Sequence, residues 1–543
     1  MNLIELFCDR ALQSPHFPAI IERDRRHFLT RFWTQRDRIT SFRELEESSQ
    51  RLARLFQQKG LQAKDGVLIF QPLSVELYII LAAVFRLGLV AIFLDPSAGK
   101  QYIDLCCQLY PPRVFIGSTK AHFLQLNCLQ LRKVFLKISV GCPFPQTISW
   151  RKIQSLSASI ESHSIPIYPC DPDAPALLTF TSGSTGQPKA TLRSHGFLLA
   201  QYQILTRTLQ LKPGELELST LPIFMLANLA SGLTSLIPDV DLRFPGRIKA
   251  DRAIRQIQKY NPSRLVASPA FLECLLDWCR DRNLTLPQIE KIFVGGAPVM
   301  PRTLSQLKQT FPRAEITIVY GSTEAEPIAS ISEAKMARID WQKMRSGRGL
   351  LVGKPVPKIQ LRIFSPSEEA IASLSETEFK NYCVSRGEVG EILVSGDHVL
   401  QGYLHKNDEK TNKIRVNDTI WHCTGDMGYL DEWGRLWLLG RRSGCIRDRF
   451  GILYPFAVEC AVNCHPEIKR SAIVSWQEKR ILFVELYQQK KQFDWQSLQV
   501  TLDAAKVAKI EIRSQIPTDK RHNAKIDYHR LYQSIEKEMR GKR

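Results

Sequence analysis

The sequence predicts an α/β protein: a large N-terminal domain of helix-covered, mostly parallel sheets with a small antiparallel β-barrel-like part, then a smaller α+β C-terminal domain. Three observations predict it. Between Ser41 and Pro96, amphipathic segments with three- and four-residue spacing alternate with short continuous apolar runs, the pattern of strands buried on both faces under helices. The alternation returns from Ser263 to Glu324. After about Gly387 it gives way to short, turn-rich segments, the pattern of an antiparallel meander. With 543 residues and 44% hydrophobic content, the chain exceeds one ordinary domain.

The elements follow in order. "MNLIELFCDRALQ" is amphipathic and contains acids, which makes it a first helix and not a targeting peptide. "SFRELEESSQRLARLFQQKG" begins with a Ser/Glu capping box and closes on Gly60. "GVLIFQP" is a buried strand, "SVELYIILAAVFRLG" a helix and "VAIFLDP" a second strand. The apolar stretch from Leu77 to Leu94 is broken by Arg86 and Gly88. A membrane span needs about 20 uninterrupted apolar residues, so no transmembrane segment is expected there. Farther on come "SRLVASP", the helix "AFLECLLDWCRDR", "KIFVGGAPV", "PRTLSQLKQTF" and "EITIVYGSTE". "GEVGEILVSGDHVLQGY" and "GYLDEWGRLWLLGRRSG" form the meander. Gly and consecutive arginines after a strand, Gly440 to Ser443, place the domain boundary, giving domains 1–440 and 441–543.

The net charge of +20 has two readings: an anionic partner, or a generally basic solvated surface. The basic residues form no dense Lys/Arg block, so nucleic acid is not an expected partner. An acidic acyl carrier, a pathway enzyme or peripheral contact with an anionic membrane is compatible with the charge. Thirteen cysteines, an odd number without a C-x-x-C pair, read as reduced thiols in the cytoplasm. "CAVNCH" (Cys460, Cys464, His465) lacks a second ligand pair, which argues for structural cysteines over zinc.

"TFTSGSTGQPKAT" carries the first chemistry. It is not a Walker A loop, because the glycines Gly183 and Gly186 are too close and Pro188 directly precedes Lys189. Proline drives Gln187 away from helical geometry, so Lys189 cannot open a helix. The glycines still let backbone N–H groups approach phosphate oxygens, and the neighbouring hydroxyls add donors. A Gly/Ser-rich surface turn is the alternative reading of this loop alone.

This segment resembles the phosphate loop of the acyl-adenylate-forming superfamily, which comprises acyl-CoA synthetases, peptide-synthetase adenylation domains and luciferases. Further motifs follow in the family's order: "LGLVAIFLDP", "VGGAPV", "VYGSTEAEPIA", "HCTGDMGYLDEWGRLWLLGRR" and "IPTDKRHNAKIDY". The resemblance covers nearly the whole chain. It implies an AMP-binding domain over 1–440, a mobile lid over 441–543, and use of ATP and Mg²⁺ on a small carboxylic acid. It further implies that Thr181, Ser182, Gly183, Ser184, Thr185, Gly186 and Lys189 hold the β- and γ-phosphates. Gly296, Ala297 and Tyr320, with Gly321 and Ser322 following, would hold the adenine. Thr323 would meet the α-phosphate and Glu324 the Mg²⁺, a hard cation that takes oxygen ligands. Asp426 would accept the ribose hydroxyls beside Arg441. Lys525 would cross to the α-phosphate as a mobile point charge, although the family's preceding glycine is Ala524 here.

Departures from the family narrow the branch. Phe224 and Met225 stand where many acyl-CoA ligases carry a histidine, and no aspartate lies between Phe224 and Gly232 to pair an α-amino group. With Gly295, they imply an apolar acyl pocket. Ser443 occupies the hinge, and the loop "SGCIRDRFGILYP" is longer and more basic than usual. These features are similar to the olefin β-lactone synthetases and fatty-acyl ligase-like enzymes, which implies a fatty or 3-hydroxy fatty acid. After adenylation the acceptor is coenzyme A, the substrate's own hydroxyl or a carrier thiol. A non-catalytic nucleotide- or acyl-binding homologue is the reading from another class.

Overall fold

The computed structural model describes residues 1–24, 36–95, 98–155, 164–182, 188–365, 371–404, 412–487, 495–518 and 526–540. Contacts group the chain into two units, Met1–Asp239 with Asp397–Thr411, and Val240–Gly396 with Asn412–Arg543.

In the first unit the capping box forms as the sequence requires. The Ser41 hydroxyl accepts from the Glu44 amide at 3.2 Å, and the Ser41 amide donates to the Glu44 carboxylate at 2.8 Å. The helix Phe42–Gln58 follows, and Gly60 turns the chain with φ +70°. The strand Gly66–Phe70 is buried throughout, as a continuous apolar run demands. It lies in a sheet ordered Ile148–Ser149, Leu136–Val140, Pro112–Ser118, Gly66–Phe70, Val90–Phe93, Pro175–Ser182, Pro188–Ser194. Its strands pair in parallel except for the last two, which form an antiparallel hairpin. The stretch from Leu77 to Leu94 resolves into the buried helix Val75–Arg86 and the strand Val90–Phe93. Arg86 is tolerated inside because Glu46 pairs with it and the Ile165 carbonyl accepts from it at 2.8 Å. Among the described residues no helix is long and apolar enough to cross a membrane.

In the second unit the parallel strands Arg264–Ala267, Lys291–Gly295 and Glu315–Ser322 alternate with the helices Pro269–Arg280 and Pro301–Thr310. The antiparallel part expected as barrel-like takes the form of a direct continuation of these strands. Ala325–Ser332, Leu350–Pro355, Leu436–Arg441, Thr419–Leu430, Gly390–Ser395 and Gln360–Phe364 follow in that spatial order.

After the short turn Arg442–Gly444 comes the hairpin Ile446–Asp448/Gly451–Leu453. The helix Pro455–Val462 and the three strands Ile468–Trp476, Lys479–Leu486 and Val507–Arg513 enclose a core of their own, including Val458, Val462, Ile473 and Leu482. Arg480, buried, fastens the hairpin to this sheet through Asp448 at 2.7 and 2.8 Å, the Gly451 carbonyl at 3.0 Å and the Ala505 carbonyl at 2.9 Å. This C-terminal module lies inside the second unit, where Arg302 donates to the Ile468 carbonyl at 3.1 Å.

Candidate active site

Two neighbouring strands supply most of the predicted nucleotide residues. Gly295 pairs in register with Val319, so Gly296 and Ala297 leave one strand beside Tyr320, Gly321 and Ser322 on the next. Thr323 and Glu324 form the turn that returns the chain into Ala325–Ser332. A side chain at Gly295 would come within 2.8 Å of the Val319 carbonyl, and one at Gly321 within 2.9 Å of the Ala325 carbonyl. These glycines permit close strand approach. Gly296 differs, because its φ of +81° needs glycine while the space beside it is open. The Ser322 hydroxyl is buried with no hydrogen-bond partner among the described residues, a donor left over for a polar ligand.

The carboxylate of Asp426 is the centre of the site. Tyr320 donates its hydroxyl to Asp426 Oδ2 at 2.7 Å, and Arg441 Nε lies 3.1 Å from Oδ1. Burial, then the Asp426 charge, pushes the Tyr320 phenol well above its ordinary range, so it stays a neutral donor. The strands Thr419–Leu430 and Leu436–Arg441 place Asp426 and Arg441 directly opposite each other. Gly425, at φ +72°, makes the bend. Its amide donates to buried Glu391 at 3.1 Å, and Arg442 binds the other Glu391 oxygen at 2.8 Å. The Thr424 hydroxyl accepts from the Asp426 amide at 3.1 Å, and the Thr424 carbonyl accepts from Arg441 at 2.9 Å. The turn is thus held from both sides, and the carboxylate is oriented before any ligand arrives.

Sequence reasoning missed Glu391, Lys413 and His422. Lys413 and His422 are cross-strand partners, and both are buried. Burial, then the Lys413 ammonium, lowers the His422 imidazole to about 4, while the Glu324 carboxylate pulls the other way. A neutral histidine therefore lies within the electrostatic reach of Glu324. One signal was available: alternation in a strand puts His422 on the face of Thr424.

The phosphate segment belongs to the first unit. Thr181 pairs with Lys189 and Ser182 with Pro188 across the hairpin. Lys189 lies on the strand Pro188–Ser194 and not on a helix. Gly183, Ser184, Thr185 and Gly186 lie outside the described residues, as does Lys525. In the same unit Phe224 and Met225 are buried on the helix Pro222–Ser231. That helix sets Asn228 against Glu217 at 2.7 Å and Ser235 at 3.2 Å. Ile223, Leu226 and Ala227 instead line a small apolar pocket with Leu3, Phe7 and Tyr78. Phe224 and Met225 do not line it.

Comparison with known proteins gives the family and the fold. The model of the AMP-binding enzymes matches residues 8–404. The chain is 28% identical over 516 residues to an olefin β-lactone synthetase of Xanthomonas campestris pv. campestris, covering 91% of this chain and 90% of that one. A second olefin β-lactone synthetase, from Stenotrophomonas maltophilia, is 28% identical over 529 residues and covers 93% of each. The amide bond synthetase McbA of Marinactinospora thermotolerans superimposes with a TM-score of 0.79 at 18% identity, over 98% of this chain and 99% of that one. At that identity the likeness is one of fold.

Proposed function

We propose that this chain, which belongs to the AMP-binding enzyme family, activates a fatty or 3-hydroxy fatty acid as its adenylate. The observation that carries the reading is the braced Asp426 carboxylate, flanked by Tyr320 and Arg441 at hydrogen-bonding distance. A fixed carboxylate at a turn suits a pair of ribose hydroxyls, both of which donate. Gly296 and the unpartnered Ser322 hydroxyl fit a nucleotide beside it.

In the reaction, a carboxylate oxygen of the acid attacks the α-phosphorus of ATP. The bond to the β-phosphate oxygen breaks, and pyrophosphate leaves. Thr181, Ser182 and Lys189, with the glycines between them, would hold the departing phosphates. Thr323 would meet the α-phosphate. Glu324 would hold Mg²⁺, which when bound neutralises phosphate charge. Lys525, brought by a C-terminal lid turning about Ser443, would offset the charge that grows in the transition state. The likeness to two olefin β-lactone synthetases supports the second step. There the substrate's own hydroxyl attacks the acyl carbon and expels AMP, closing a lactone. The free state of all thirteen cysteines fits a reducing compartment, the cytoplasm.

Acid-dependent ATP–pyrophosphate exchange tests the first step. Exchange is expected with long-chain acids and lost in Lys525→Ala. No exchange with any of a broad panel of fatty and aryl acids would leave only a nucleotide- or acyl-binding role. Product analysis with a 3-hydroxy fatty acid tests the second. Lactone and AMP are expected without coenzyme A; a thioester that forms only when coenzyme A is added overturns the lactone step.

A further inference from the structure

Within the first unit, one surface combines two unusual properties. The helical turns Phe123–Leu126 and Leu129–Lys133 and the start of the strand Leu136–Val140 present Phe123, Leu126, Leu129 and Phe135 to solvent, each more than 55% exposed. The same turns are anchored from beneath: Cys128, Leu131 and Val134 are buried in the core, and buried His122 bonds the Ile138 carbonyl at 2.9 Å. The apolar side chains are therefore held outward by a rigid base, although their removal from water would be favourable.

The second property is charge. From Leu105 to Ile160 the sequence contains no Asp or Glu, while Arg113, Lys120, Arg132, Lys133, Lys137, Arg151 and Lys152 fall within it. Two acids from outside that run are bonded to it. Asp104 accepts from the Gln130 amide at 3.0 Å, and Asp65 pairs with Arg113 at 3.1 Å. Lys120, Arg132 and Lys133 are exposed around the four apolar side chains. Arg132 reaches back to the Gln125 and Leu126 carbonyls, which sets its guanidinium beside the exposed Leu126.

We propose that residues 119–137 are a docking surface for an anionic phospholipid bilayer. Large apolar side chains interleaved with long cationic ones suit the headgroup boundary, where the former enter the acyl region and the latter meet phosphates. Nucleic acid would use the charge and leave Phe123, Leu126 and Leu129 unburied. This surface is independent of the adenylation reading.

Vesicle sedimentation with the full chain tests it. Binding is expected to vesicles of phosphatidylcholine mixed with phosphatidylglycerol, to weaken with salt, and to be absent with phosphatidylcholine alone. The triple variant Phe123→Ser/Leu126→Ser/Leu129→Ser should lower partitioning at least about tenfold. Lys120→Gln with Lys133→Gln should lower it roughly 30-fold. Both variants should keep the parental melting temperature and nucleotide affinity, which separates surface loss from misfolding. Failure of the parent to bind either vesicle overturns the proposal, as does equal binding by correctly folded variants. Capture of a purified acidic acyl carrier protein that both variants abolish, without vesicle binding, also overturns it and assigns the surface to a protein.

Discussion

Around the strand Thr419–Leu430, three carboxylates each face a guanidinium: Asp426 meets Arg441, Glu391 meets Arg442 and Asp431 meets Arg435. In the C-terminal module Glu459 is as deeply buried, yet no cation pairs with it among the described residues. Its carboxylate takes hydrogen bonds from the Tyr528 hydroxyl and from the Ile473 amide, the latter at 3.0 Å. The consequences differ in sign. Burial pushes Asp431 up, but Trp437 and Arg435 outweigh it and hold the group below its usual range. Burial dominates at Glu459 and raises it to about 7, against those two hydrogen bonds. A buried carboxylate with a guanidinium remains a fixed charge, whereas one without becomes a group that titrates near neutrality.

The contrast can be broken at four places. Asp426→Ala removes the central charge of the braced turn, and pyrophosphate exchange should fall roughly a thousandfold. Glu391→Leu keeps the bulk, frees the half-exposed Arg442 to water and leaves the Gly425 amide unpaired; urea unfolding should show a loss of about 2 kcal/mol. At Glu459 the folded value lies above the ordinary glutamate value of 4.5. The folded chain therefore binds the extra proton, and the stabilisation is full below pH 4.5 and lost as pH rises through 7. Wild-type stability should drop between those limits by on the order of 2 kcal/mol, and Glu459→Gln should flatten that part of the profile. Gly425→Ala is the mildest change. Its φ of +72°, with Arg441 3.4 Å from the added carbon, should cost about 1 kcal/mol and raise the KM for ATP.

The same contrast shows where sequence reasoning reached and where it stopped. Ser41 and Glu44, three residues apart, specify a cap that needs nothing from the rest of the fold. Pro188 likewise sets the loop apart from a Walker A motif, whatever the rest of the fold does. Tyr320, Asp426 and Arg441 were recognisable because each sits in a motif with a fixed neighbour. Glu391 was not: in "GEVGEILVSG" it is one acid among several, and only the register of Gly390–Ser395 against Thr419–Leu430 brings it to Gly425. Lys413 and His422 meet across a local hairpin that turns at Asn417-Asp418, a pairing the segment "KIRVNDTIWH" contains but no chemical motif marks. The acid-free run from Leu105 to Ile160 was visible all along. Its meaning required knowing that Phe123 and Leu126 point outward.

Arg441 ends its strand against Asp426, and Arg442 is tied to Glu391. From Ile446 onward the chain is gripped by Arg480 through the hairpin. Ser443, Gly444 and Cys445 are what remains between two clamps, and a side chain at Gly444 would meet nothing within 4 Å. A rotation of the C-terminal module of the kind proposed above would be absorbed as torsion in those three residues, up against Arg442 and its Glu391 clamp. On that proposal the tether would couple nucleotide occupancy to module orientation: a ligand that stiffens Asp426 against Arg441 would also steady the anchor about which the module swings.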